Sequence, residues 1–134
     1  MITKDNKMKY LSHYVEAAQT KLFNETGTFF AWSKQQYEEG KKEGVEYSFL
    51  GAGIVCPAGN VDALTDGLET INAQGIAQDL AENGKDAIIE RELHNHEAFY
   101  VGSVRDTLGA LEGYGITREE IVRVYKRVAP TIDY

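Results

Sequence analysis

The segment Glu90-Arg91-Glu92-Leu93-His94-Asn95-His96-Glu97 holds the densest set of residues able to do chemistry. At about 100° per residue, Glu90, His94 and Glu97 fall at i, i+4 and i+7 and share one helix face. Two carboxylates and an imidazole suit a divalent ion, so these three are the candidate metal ligands, and a metal-dependent enzyme is the activity they would serve. No second helix supplies further ligands in any evident pattern, which makes a solvated polar face the plainer reading. His96 points elsewhere, with Ile89 and Leu93, and reads as a partly buried, hydrogen-bonded histidine rather than a general base.

Asp62, Asp66 and Glu69 repeat the same spacing on a different helix, opposite the apolar stripe Val61, Leu64 and Leu68. No base lies within one turn to pair with them. They form an acidic ridge, either simply hydrated or offered to a basic partner. Gly51-Ala52-Gly53 follows a strand as a phosphate-binding turn would. However, the third glycine position of a dinucleotide fingerprint is Cys56, with Pro57 after it, so no helix opens there. Cys56 reads as a buried small hydrophobe rather than a nucleophile. Near the C-terminus, two helices joined by Gly113-Tyr114-Gly115-Ile116 outline a helix-turn-helix, and the second carries Arg118, Arg123, Lys126 and Arg127. Glu119 and Glu120 occupy the end where a recognition helix needs bases or amides, which argues against DNA reading. Acids first and bases last instead match the helix macrodipole.

These groups need elements to hold them. Met8, Leu11, Val15, Ala18 and Leu22 recur at helical spacing and predict a first helix, closed near Gly27. Thr28–Trp32 is a short aromatic strand. Ser33 and Gln36 form a capping box for a polar helix that ends by Gly40–Gly44. Glu46–Cys56 reads as a second strand, in which Gly51 and Gly53 predict a bulge or a close backbone approach. Asn60 can cap a long helix reaching about Asn83, with its stripe slipping phase near Gly75, hence bent or split in two. Asp86–Tyr100 reads as one helix with Ile89, Leu93, His96 and Tyr100 on one face. Ser103 caps the next, and the last has a Thr117/Glu120 capping box, an Ile116–Ile121 staple and Pro130 as its stop.

The expected fold is a single mainly helical α+β domain over residues 1–134, five or six helices covering a small two-strand β element. It comprises an N-terminal helix (1–27), a β-α-β element (28–56) and a helical part (60–128). Two strands are marginal alone, so helices must cover them.

Composition removes several classes. The chain has 134 residues, 43% hydrophobic and 26% charged, an ordinary globular balance. No apolar run is long enough to span a membrane, and the polar Met1–Lys9 stretch does not resemble a secretory leader. One cysteine permits no intramolecular disulfide and no multi-thiolate zinc site. The net charge is -7. It has a location, because residues 43–84 carry seven acids (Glu43, Glu46, Asp62, Asp66, Glu69, Asp79, Glu82) and no Lys or Arg. That balance disfavours direct nucleic-acid binding and favours a protein partner with a basic surface.

Phe29-Phe30-Ala31-Trp32-Ser33, Gly51-Ala52-Gly53 with Cys56-Pro57, Asn83-Gly84, Arg91-Glu92-Leu93 through Asn95-His96-Glu97-Ala98, and Ala110 through Glu120 carry a family likeness. Over residues 28–128 the chain resembles a set of small uncharacterised proteins of gut Bacteroidetes, their phages and mobile elements. The resemblance implies a cytoplasmic, phage-encoded accessory protein. It transfers no activity and no site. The reading taken forward is a non-enzymatic acidic protein, without cofactor, that binds a host macromolecule through Asp62, Asp66 and Glu69, for example as an inhibitor of a defence protein with a basic channel. The alternatives are the metal site at Glu90, His94 and Glu97, and a structural homo-oligomer joined by aromatics such as Tyr10, Tyr14 and Trp32.

Overall fold

The computed structural model describes residues 8–133. Residues 1–7, which hold most of the polar Met1–Lys9 stretch and the start of the expected N-terminal segment 1–27, and Tyr134 lie outside the described residues. Helix α1 (Leu11–Thr26) is followed by strand β1 (Phe29–Phe30), helix α2 (Lys34–Gly40), strands β2 (Tyr47–Phe49) and β3 (Ile54–Pro57), and the long helix α3 (Val61–Asn83). Four more helices complete the chain: α4 (Lys85–Asn95), α5 (Ala98–Val101), α6 (Arg105–Ala110) and α7 (Arg118–Val128). The mainly helical α+β class is the one expected. The described residues fall into two compact units, 12–75 and 76–133 with 8–11, so α3 gives its first part to one and its last part to the other.

In the unit 12–75 the β element has three strands, not two. They run antiparallel in the order β1-β3-β2, with Phe29 opposite Val55 and Ser48 opposite Cys56. The stretch Glu46–Cys56 is thus a hairpin rather than one strand. Gly51, Ala52 and Gly53 have φ of +86°, +51° and +76°, and the turn is closed by Leu50 N–H to the Ile54 carbonyl at 2.9 Å. Three successive left-handed residues turn the chain where a single strand would run straight, and glycine at two of them removes most of the steric cost. These glycines therefore serve the hairpin and open no phosphate loop. Gly53 also provides the expected close approach, because a Cβ there would stand 2.7 Å from the Trp32 ring.

Helix α1 ends as its sequence predicts. Gly27 adopts φ +75°, Gly27 N–H reaches the Asn24 carbonyl at 3.4 Å and Thr28 N–H the Phe23 carbonyl at 2.8 Å. That pair of bonds is a Schellman motif, and it satisfies carbonyls the helix leaves open. Asn60 does not cap α3. A 3-10 turn, Ala58–Asn60, leads directly into that helix, and the Asn60 amide donates to the Thr26 carbonyl at 2.8 Å. This ties the end of α1 to the start of α3. Helix α3 is continuous through Gly75. Cys56 is fully buried, as expected for a small hydrophobe.

In the unit 76–133 the core gathers Ile88, Ile89 and Leu93 of α4, Phe99 of α5, and Ile121, Val124 and Val128 of α7. Ile76 and Leu80 of α3 pack against it, whereas Ala77 between them is exposed. The helix expected over Asp86–Tyr100 breaks in two. His96 leaves helical geometry and Glu97 takes φ +54°, so Tyr100 swings out to 68% exposure.

Helix α7 forms as its local signals require. Thr117 Oγ1 accepts from Glu120 N–H at 3.2 Å, and Glu120 Oε1 accepts from Thr117 N–H at 3.0 Å. Lys85 adds an ion pair to Glu120 at 2.9 Å. The Lys85 hydrogen bond and the Thr117 backbone hold the Glu120 carboxyl down to about 2. A depressed folded-state value stabilises the fold above the carboxyl's ordinary 4.5, and that contribution is lost as pH falls from there to about 2. We expect Thr117→Ala to cost about 1 kcal/mol near neutral pH. Part of the acid-dependent loss between those pH values should vanish in Glu120→Gln, read by urea denaturation at a series of pH values.

Candidate functional site

The acidic ridge is where the sequence places it. Asp62, Asp66 and Glu69 are exposed along the first half of α3, and none enters an ion pair among the described residues. Of the other acids between 43 and 84, Glu43, Glu46 and Glu82 are also exposed. Asp79 is different. It is fully buried and accepts from Arg91 Nη1 at 2.9 Å, Tyr114 Oη at 2.5 Å and Asn83 Nδ2 at 2.8 Å. One of the seven uncompensated acids is thus compensated, by an arginine on the next helix.

This buried network is the feature that residue spacing did not disclose. Arg91 also binds Glu92 Oε2 through Nε at 2.6 Å and the Lys9 carbonyl through Nη1 at 2.8 Å, with its guanidinium 5.5 Å from the Tyr10 ring centre. Burial by itself pushes the Asp79 carboxyl up, but the hydrogen bonds from Arg91, Tyr114 and Asn83 outweigh it and leave it below its ordinary value. Burial likewise pulls Arg91 down, and its bonds to Asp79 and Glu92 reverse that. Burial and then the bond to Asp79 raise the Tyr114 phenol, so it stays neutral. No buried side-chain N or O among the described residues lacks a partner. A fully satisfied buried network of this kind holds helices together.

The three candidate metal ligands are not brought together. Glu90 and His94 share a face of α4 at 4.0 Å, but the helix ends at Asn95 and Glu97 sits in the left-handed break beyond it. The i+7 position exists only if the helix continues. Glu90 also lies 3.6 Å from Arg127, and the His94 ring meets Phe99 at 5.1 Å. Among the described residues no three His, Cys, Asp or Glu side chains are grouped to hold a metal ion. His96 is half-buried, as expected, with Nε2 3.6 Å from Glu92 Oε1, outside hydrogen-bond distance.

Unit 12–75 exposes large aromatics instead. Trp32 is 69% exposed, Phe49 66% and Phe30 53%. Trp32 is nevertheless fixed. Its ring stacks on Phe30 at 6.3 Å and 3° and rests on Gly53, while the Trp32 backbone N–H donates to Gln36 Oε1 at 2.6 Å. Gln36 therefore reaches one residue further back than a capping box to Ser33 requires, while Ser33 Oγ still accepts from Gln36 N–H. Phe30 in turn meets Phe23 at 5.2 Å, beside a shallow groove lined by Glu16, Gln19 and Thr20. A strand pattern identifies these rings as apolar but not as uncovered.

The fold and this surface define a small mainly helical α+β protein with an exposed aromatic face. The model of a family of unknown function, DUF7659, matches residues 11–130, and the chain belongs to that family. No curated protein and no solved structure matches it. No helix among the described residues is long and apolar enough to cross a membrane.

Proposed function

We propose that the chain is a non-enzymatic binding protein that docks a protein partner with a basic surface through the Trp32–Phe30 face of unit 12–75. The observation that carries this is Trp32 itself, a large ring exposed to solvent yet already held in one orientation. Ordering a side chain on binding costs free energy, and a pre-fixed tryptophan avoids that cost. Asp62, Asp66 and Glu69 belong to the same unit and supply unpaired negative charge, which favours and steers a basic partner. In the setting of gut Bacteroidetes, phages and mobile elements that the resemblance implies, a host defence protein with a basic channel has this chemistry, and the chain would act as its inhibitor or adaptor.

The test is site-specific photo-crosslinking from position 32 in the source cell, followed by titration with the purified partner. Trp32→Ala should weaken binding by about 30-fold or more. Reversing Asp62, Asp66 and Glu69 to Lys together should slow association and flatten its salt dependence, with circular dichroism unchanged. If light scattering instead finds a dimer that Trp32→Ala dissociates, the face joins two copies. Should the partner bind both variants as it binds the native protein, the reading fails.

A further inference from the structure

Between residues 76 and 133 the chain carries seven Lys and Arg. Four are held by acids: Lys85 by Glu120, Arg91 by Asp79 and Glu92, Arg123 by Asp86, and Arg127 by Glu90. The other three, Arg105, Arg118 and Lys126, enter no ion pair among the described residues, and all three line one groove. Arg118, Val122 and Lys126 lie along one face of α7 at i, i+4 and i+8, and Arg105 comes from the first turn of α6. The remaining lining is Gly102, Ser103, Val104 and Tyr125, so the groove contains no carboxylate. Its volume is about 330 Å³, within the range of small-ligand sites.

In a chain of net charge -7, these three exposed cations share a groove that offers them no carboxylate, and an anion would supply the counter-charge. We infer that this groove binds a small anion carrying a di- or triphosphate group. Arg105 and Arg118 can each present a planar fork to phosphate oxygens, and Lys126 adds a point charge. Val104, Val122 and Tyr125 give an apolar floor on which an uncharged part of the ligand can rest. A nucleic-acid duplex fits less well, because it needs a continuous cation track. An adjoining groove shares Arg118, Val122 and Lys126 and adds Glu119 and Arg123, and Arg123 is already bound to Asp86. The site lies in a different unit from Trp32 and does not rest on the function proposed above.

Calorimetry and amide NMR at low ionic strength test it, with pyrophosphate, tripolyphosphate, ATP and a short DNA duplex as probes. Saturable binding of tripolyphosphate should shift the amides of Ser103, Arg105, Arg118 and Lys126. The Arg118→Gln, Lys126→Gln double variant should weaken it at least about tenfold, while Arg123→Gln and Arg127→Gln, which alter paired cations, should not. ATP binding tighter than tripolyphosphate identifies a nucleotide, and equal binding identifies the polyphosphate alone. The inference is overturned if no phosphate compound saturates, if the control variants lose binding equally, or if the duplex binds more tightly than either small anion.

Discussion

Replacing Arg91 by leucine is expected to destabilise the unit 76–133 by about 3–5 kcal/mol, which corresponds to a fall in melting temperature on the order of 10–20 °C. The reason is what the change leaves behind. Asp79 stays fully buried and keeps only neutral donors, Tyr114 and Asn83, while Glu92 loses the guanidinium at 2.6 Å and the Lys9 carbonyl loses its donor. A buried carboxylate without a counter-charge costs more than the pair contributed when intact. The pH profile should reverse as well. In the native protein the Asp79 carboxyl sits below its ordinary 3.8, so its contribution is present above that value and disappears as pH falls through the depressed one. In Arg91→Leu, burial dominates and the carboxyl rises, so the variant should lose stability as pH rises toward neutrality, when the buried group must ionise. Adding Asp79→Asn to Arg91→Leu should recover part of the loss at pH 7 and little at pH 4. Urea denaturation at both pH values measures all of this, and a loss below about 1 kcal/mol for Arg91→Leu would mean that water already solvates the network.

Ile121→Ala should cost about 2–5 kcal/mol, the second largest effect. Ile121 is fully buried in the same core as Ile89, Leu93 and Val124, so truncation removes packed methyl groups and leaves a cavity that helices on several sides cannot close. Thr117→Ala, one turn earlier, should cost several-fold less, because a cap satisfies one end of a helix whose free energy comes mainly from its buried face. Calorimetric melting of both variants compares the two directly. Equal losses would place the stability of α7 in its local signals rather than in packing.

These two variants mark the boundary of what sequence reading can reach. Ile121 was legible: its staple with Ile116 and the Thr117–Glu120 box lie within two turns of it, and Pro130 marks the end of the same helix. Gly27 was legible for the same reason, since a left-handed cap is a local demand. Gly51 and Gly53 signalled a special backbone but not which one. A bulge and a hairpin turn use the same residues, and only the pairing of Tyr47–Phe49 with Ile54–Pro57 decides between them. The break at Glu97 gave no signal, because no glycine or proline stands there. It dissolved the Glu90, His94 and Glu97 set, which existed only on an uninterrupted helix.

The sequence by itself determined the mainly helical α+β class, the ends of α1 and α7, the buried Cys56 and the exposed acidic ridge of α3. Each follows from interactions between residues a few positions apart, or from one-dimensional charge patterning. Only the tertiary structure decided that Asp79 belongs with Arg91, 12 residues away, and Tyr114, 35 away, rather than with the acids that surround it in the chain. It also decided that Trp32 stands in solvent, and that three of the late cations share a groove while their neighbours are paired. Those outcomes depend on which faces packing covers, and a single chain's pattern of polar and apolar residues does not encode which side chain meets which across the core.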